Sequence, residues 1–381
     1  MRSAPLSTPV FTPGLFVRLG VGWGTYLLTV VFDPVLEGQL SGPALLGLLA
    51  VIVAAIVVCS FGVVAQAERL ALRLGDPYGT LILTISIAMI EVILIVAVML
   101  GPGEHATIAR DSVMAVSMII LNLVIGVAIL VSRRRGAKVQ ANRRGVFTYL
   151  VLLALLSTVA FVLPILIGRD GQYLPAQQLV SVVLTAVVYG VFLFMQMGPA
   201  SRHFQEVKAL SATELRGEPQ ATGVMDLIRP HRSEIARSTA ALVLLMIPVV
   251  LLSHDMANLL DRGLDRLGAP VALSGLLIAM TVFLPETITT FRAAAAGEMQ
   301  RVSNLCHGAL LSTLGLTVPA VLTISFFTGQ SVVLAESPVN LALLAASYLL
   351  TAVSFGRGRI KRELGYAHLA LFMAFVASML F

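Results

Sequence analysis

The chain has 381 residues, of which 57% are hydrophobic and 12% charged, with a formal net charge of +6 and a mean hydropathy of +0.93. That balance is too apolar for a water-soluble domain and requires a polytopic membrane protein. The excess of base needs no nucleic acid, because basic loops retained beside an anionic leaflet account for it.

A helix needs roughly 17–25 apolar residues to cross about 30 Å of hydrocarbon. Runs of that kind are predicted at 14–32, 43–65, 79–100, 112–132, 146–167, 177–197, 236–253, 270–291, 303–327, 339–355 and 364–381. The expected fold is therefore all-α, with about eleven transmembrane helices. These runs are continuous, which excludes a β-barrel of short strands alternating in polarity. The first run lacks a small-residue cleavage site and carries Arg18, so it reads as a retained helix. Cys59 and Cys306 fall inside apolar runs and read as buried thiols.

If the eleven helices alternate in direction, 22 of the 26 Lys and Arg residues lie on the side of the N-terminus. Only Arg110, Arg169, Arg262 and Arg266 lie opposite. Basic loops stay cytoplasmic, so the N-terminus is expected inside and the C-terminus outside. The split also supports the helix count, since one miscounted helix would scramble it.

Two carboxylates interrupt the hydrocarbon-length runs: Glu91 in 79–100 and Glu286 in 270–291. An ionisable group at membrane depth is costly and points to function. At an offset of 195 residues, TISIAMIEVILI (84–95) lies over AMTVFLPETITT (279–290) with the acids in register. At an offset of 191, Arg110 lies over Arg301, Ser112 over Ser303 and Asn122 over Thr313. Five helices separate the two acidic helices, so they run in opposite directions. This predicts an N-terminal helix (1–38), two inverted-topology five-helix repeats (39–197 and 236–381) and a cytoplasmic loop (198–235). Inverted-repeat transporters place their site near the midplane, between the repeats.

Pro285 predicts a broken helix beside Glu286, and Gly75, Pro77 and Gly79 crowd the entrance to the Glu91 helix. Carboxylates and freed carbonyls are hard oxygen ligands of the kind that calcium takes six to eight of. Glu91 and Glu286 would carry the charge, with Asn122, Ser312, Thr313 and Asn304 as neutral oxygens. No Cys/His cluster with zinc spacing is present. Two facing carboxylates resist simultaneous ionisation, so the metal-free site takes up protons and the cation competes with them. Exchange by alternating access follows. Sodium or potassium in place of calcium stays open, since the same oxygens can hold them. No HExxH or GxSxG stretch supports an enzyme, and no resident cofactor is expected. The expected partners are the transported cations, protons and the bilayer.

Other titratable groups carry quieter readings. Glu68, near Arg69 and Arg73 at the mouth of the second helix, is a candidate for feeding ions, with an exposed ion pair as the alternative. His307 reads as a packing histidine, with a proton relay as the alternative. His254, Asp255, Asp261 and Asp265 read as a solvated outer loop.

GDPYGTLILTISIAMIEV (75–92), FLPETITTFRAA (283–294) and GEMQRVSNLCHGALLSTLGLTVPAVL (297–322) resemble the two α-repeats of ChaA-type calcium/proton antiporters, in the calcium/cation antiporter superfamily. AERLALRLG (67–75), YGVFLFMQ (189–196) and SFGRGR (354–359) extend the likeness over nearly the whole chain. The resemblance implies an inner-membrane antiporter expelling calcium, with sodium or potassium as alternatives, in exchange for protons. It places the ion-binding glutamates on Glu91 and Glu286 and polar helpers near Asn122 and Thr313. The chain departs from that pattern in three places: the 198–235 loop lacks a dense acidic run, a usual Gly-Ser pair reads Gly308-Ala309, and His307 stands where an apolar residue is expected.

Overall fold

Hydropathy decides where these helices lie, and capping chemistry decides where they stop. The computed structural model describes residues 10–32, 41–74, 106–132, 141–197, 232–268, 272–356 and 360–380, with scattered positions between 85 and 99. Among these, nine helices are long and apolar enough to cross a membrane, and a bent pair makes a tenth span. No strand occurs among the described residues; one isolated bridge joins Arg169 and Gln172. The chain divides into two compact units, one formed by 1–90 and 211–259 and the other by 91–210 and 260–381.

The first unit holds α1 (Pro13–Val31), α2 (Gly42–Leu74) and most of α6 (Arg232–Leu267). Thr12 caps α1 by accepting the Leu15 N–H, and Pro13 occupies the first turn, where no N–H is needed. Glycine lets the helices touch: a Cβ on Gly22 would meet the Cys59 sulfur at 2.5 Å and Pro248 at 3.1 Å. Pro248 sits inside α6 and has no N–H to offer the Leu244 carbonyl four residues back. The indole Nε1 of Trp23 donates to that carbonyl at 3.1 Å, so a residue of α1 repairs the defect in α6. At the far end of α2, Arg73 pairs with Glu234 at 2.6 Å.

Sequence reading ends the seventh apolar run at 253 and places an acidic loop after it. The helix instead continues to Leu267. His254, Asp255, Asp261 and Asp265 therefore lie on α6. Leu252, Met256, Leu260 and Leu264 continue a buried stripe at four-residue spacing, which carries the helix through Gly263 as far as Gly268, whose φ of +63° ends it.

The second unit is built on α3 (Ile108–Ser132), α4 (Arg143–Ile167) and α5 (Pro175–Met197) from one half of the sequence. The other half supplies α7 (Ala272–Val282), α8 (Leu284–Ala296), α9 (Met299–Thr328), α10 (Pro338–Gly356) and α11 (Arg362–Leu380). Helix α3 is the axis, with 83% of its apolar window buried against 22% for α11. A membrane helix turns its apolar rim to lipid, so α11 is peripheral and α3 enclosed. The halves interlock: α9 packs on α5 and α4, while α3 packs on α11, α7 and α8.

Helices α3 and α4 each contain a π-helical segment, Ile119–Val124 and Thr158–Val162. The second precedes Pro164. At one face of this unit the Val333 N–H donates to Ala106, those of Leu334 and Ala335 to Gly171, and that of Glu336 to Phe161. At the opposite face the Asn142 N–H, at the start of α4, donates to Gln300 at the start of α9. The start of α3, the end of α4 and the end of α9 thus share one face, as alternating spans require.

Candidate cation site

The break expected beside Glu286 is present. Helix α7 ends at Val282, and α8 restarts at Leu284 with Pro285 in its first turn and an axis bent by 56°. Proline fits there because a first-turn N–H has no intrahelical partner. Glu286 follows in the same turn and is 7% exposed. Its position is halfway along the span, where the positive end of the α8 dipole favours a carboxylate. One turn on, the buried Thr290 hydroxyl bonds the Cys306 thiol of α9. Helix α8 packs on the π-helical turn and final segment of α3 and on α9, so the helix of Glu286 lies against those of Asn122 and Thr313.

Asn122 sits in the π-helical turn of α3, wholly buried. π-helical turns recur at functional sites. Its amide donates to Ser347 Oγ of α10 at 2.8 Å, and its carbonyl oxygen lies 3.3 Å from His368 Nδ1 of α11. Ser347 gives its own proton to the Leu343 carbonyl, which fixes the direction of the Asn122 bond. On α9, Ser312 and Thr313 are buried at the same mid-span level, and Ser312 accepts from Tyr189 of α5 at 3.2 Å.

Other candidates lie elsewhere. Asn304 accepts from Gln300, which in turn caps the start of α4, and nine residues at about 1.5 Å each separate it from Thr313. It therefore sits near the start of α9, away from the mid-span group. Glu68 is exposed, and Arg73, expected beside it, is held by Glu234. Glu91 lies outside the described residues. Among the described residues no group of three or more His, Cys, Asp and Glu could hold a metal ion.

His307 is fully buried. Its ring stacks on Tyr149 at 5.7 Å and meets Phe355 edge-on at 5.7 Å, while Nδ1 lies 2.9 Å from the Ser303 carbonyl. This agrees with the packing reading. Its Nε2 has no hydrogen-bond partner among the described residues. Gly308 faces Tyr149, where a Cβ would stand 3.6 Å from the phenol oxygen.

Sequence reasoning missed Ser347, Ser354, His368 and Tyr189. The available signal was a line of polar residues inside the apolar runs 339–355 and 364–381. A lone serine in such a run usually bonds its own helix, as Ser132 does, so the residue type alone could not single them out.

The pattern of the family described as sodium/calcium exchanger protein matches residues 44–198 and again 237–381. The relative y4hA of Sinorhizobium fredii (strain NBRC 101917 / NGR234), described as an ionic transporter, is 34% identical over 319 residues, 83% of this chain and 84% of its own. The sodium-potassium/proton antiporter ChaA of Escherichia coli (strain K12) is 32% identical over 320 residues, again 83% of this chain and 84% of its own. The solved structure of native YfkE has the same fold, with a TM-score of 0.70, 17% identity, and coverage of 96% of this chain and 99% of that one. The likeness read from the repeat motifs is thus borne out.

Proposed function

The chain belongs to the sodium/calcium exchanger protein family, and from that premise we propose that it exchanges a cation for protons by alternating access, with calcium as the cation. Glu286 and its repeat partner Glu91 carry the charge of the site. Asn122, Ser312 and Thr313 supply neutral oxygens. The observation that carries this reading is Glu286: a buried carboxylate at mid-span, at the start of a helix that a proline has restarted. A carboxylate in that position is retained because something positive visits it.

The chemistry is competition for the same oxygens. With a divalent cation present, two carboxylates neutralise it and side-chain and backbone oxygens fill its shell. With the cation gone, the like charges are relieved by protons. The empty, charged site is the species that crosses least easily, so each reorientation carries a cation one way or protons the other. The face bearing Arg143, Arg144, Arg292, Arg301, Lys361 and Arg362 is cytoplasmic on this reading, and the membrane is the bacterial-type inner membrane.

A second reading, sodium or potassium exchanged for protons, is favoured by one observation: the 32% identical relative ChaA bears the name sodium-potassium/proton antiporter. Proteoliposomes with an imposed proton gradient separate the two. Calcium uptake that outpaces sodium and potassium uptake supports the first reading, and the reverse order selects the second. Uptake of any cation that survives both Glu91→Gln and Glu286→Gln rejects the site.

A further inference from the structure

Two contacts in the second unit are made the same way, once in each direction between the halves of the sequence. On α3, Asn122 meets His368 of α11, the last helix of the other half, at 3.3 Å. On α9, Ser312 meets Tyr189 of α5, the last helix of the first half, at 3.2 Å. In each case a glycine one turn further along lets the partner helix come in. A Cβ on Gly126 would meet the His368 Cβ at 3.1 Å and the Gly365 carbonyl at 3.0 Å. A Cβ on Gly315 would meet the Tyr189 ring at 2.6 Å. Gly126 is four residues after Asn122 and Gly315 three after Ser312, so each glycine shares a helix face with its polar residue.

The hydrogen-bond directions follow from the rest of the network. Asn122 spends an amide proton on Ser347, so its carbonyl oxygen faces His368 and accepts from Nδ1–H. The other ring nitrogen, Nε2, then accepts from the Ser354 hydroxyl at 3.0 Å. That tautomer uses both nitrogens and aims the ring at Asn122. His368 and Ser354 are wholly buried, so water does not compete. The Tyr189 phenol donates to Ser312 Oγ and leaves that oxygen a lone pair. A carbonyl oxygen also has two lone pairs, so neither contact blocks a cation.

We infer that His368 and Tyr189 are positioning residues: each holds a cation-binding oxygen of the opposite half, the Asn122 carbonyl and the Ser312 hydroxyl, in the orientation that binds. Neither touches the cation. Each fixes a rotamer that would otherwise be ordered at the moment of binding, which costs affinity. Because the contacts cross between halves, displacement of one half's last helix releases the oxygen of the other. The inference rests on Asn122 and Ser312 being cation ligands.

The test measures cation-dependent exchange in proteoliposomes for Tyr189→Phe, His368→Leu and His368→Gln, beside Asn122→Ala and Ser312→Ala, with thermal melts of each variant in detergent. Tyr189→Phe removes one oxygen and keeps the ring packed on Gly315, so folding survives. Tyr189→Phe and His368→Leu are expected to raise the half-saturating cation concentration about fivefold, the equivalent of one hydrogen bond, while the maximal rate stays within about twofold. His368→Gln, which keeps a donor, is expected to recover most of the loss. A purely structural role would lower the maximal rate through fewer active molecules and leave half-saturation in place. If Asn122→Ala and Ser312→Ala shift half-saturation and the three positioning variants do not, the inference is overturned and the ligand assignment stands. If the two alanine variants themselves leave it unchanged, the ligand assignment falls and the inference with it.

Discussion

The side-chain amide of Asn122 donates to the hydroxyl of Ser347 across 225 positions of sequence, at 2.8 Å, with both side chains wholly buried. One end of that bond lies in a π-helical turn of α3 and the other at the middle of α10. Around it, the wholly buried Met118, Ser354 and His368 and the backbone carbonyl of Leu343 complete a polar cluster. A cluster of this kind costs much when half-made, because each orphaned group keeps its desolvation penalty and gains nothing.

Asn122→Leu therefore acts on stability as well as on transport. It leaves Ser347 and His368 without their shared partner. A loss of about 1–3 kcal/mol is expected, read as a lower unfolding midpoint in detergent. The double change Asn122→Leu with Ser347→Ala should lose clearly less than the sum of the two single changes, because the orphaned hydroxyl is gone. Additive losses would show that the two residues are not coupled.

Glycines at close approach should behave differently from glycines in open space. Gly315→Ala and Gly365→Ala drive a methyl to 2.6 Å from the Tyr189 ring and to 2.9 Å from Leu130. Overpacking of this kind costs about 1–3 kcal/mol. A Cβ on Gly190 of α5 meets nothing within 4 Å, so Gly190→Ala should be neutral or stabilise by up to about 1 kcal/mol. Thermal melts of the three variants decide it, and equal effects at all three positions would contradict the packing described above.

Glu336, in the loop before α10, gives the protein a pH dependence. Burial pushes its carboxyl above the ordinary 4.5, and Asp111 adds to the rise. The Ser337 N–H, the Asn340 amide and the Arg110 guanidinium, 3.8 Å away, oppose it without cancelling it. A carboxyl raised in the folded state binds protons more tightly there than in the unfolded chain. Its contribution is present below about pH 4.5 and lost as pH rises through the folded value. Glu336→Gln is thus expected to flatten the fall in melting temperature from pH 4.5 toward neutrality. A steeper fall in the variant would reverse the assigned sign.

The two faces of the second unit predict opposite labelling. With Cys59 and Cys306 buried and silent, Arg169→Cys should react with an impermeant thiol reagent added to intact cells. Arg143→Cys should react only once the membrane is opened. The reverse pattern would invert the orientation proposed above.

The class of molecule is plain in the sequence, because hydrocarbon thickness dictates run length and the cost of an intramembrane acid makes Glu286 stand out among apolar residues. The ends of most spans came within a few residues for the same reason. Pro285 announced the broken helix, since a missing N–H acts on its own neighbours. The reading failed after residue 253, where an amphipathic stripe extends α6 past the point at which mean hydropathy drops, and it left open the depth of Asn304 along α9, which a residue type does not reveal.

Tertiary structure alone decided who meets whom. Ser347, His368 and Tyr189 are ordinary residues in apolar runs until α10, α11 and α5 bring them against α3 and α9. Sequence records hydrophobicity and backbone chemistry, which act locally, and so it specified a membrane protein with a buried acid at a helix break. A hydrogen bond between residues 123 or 246 positions apart exists only once packing has spent its glycines on close approach, and no local propensity encodes that distance.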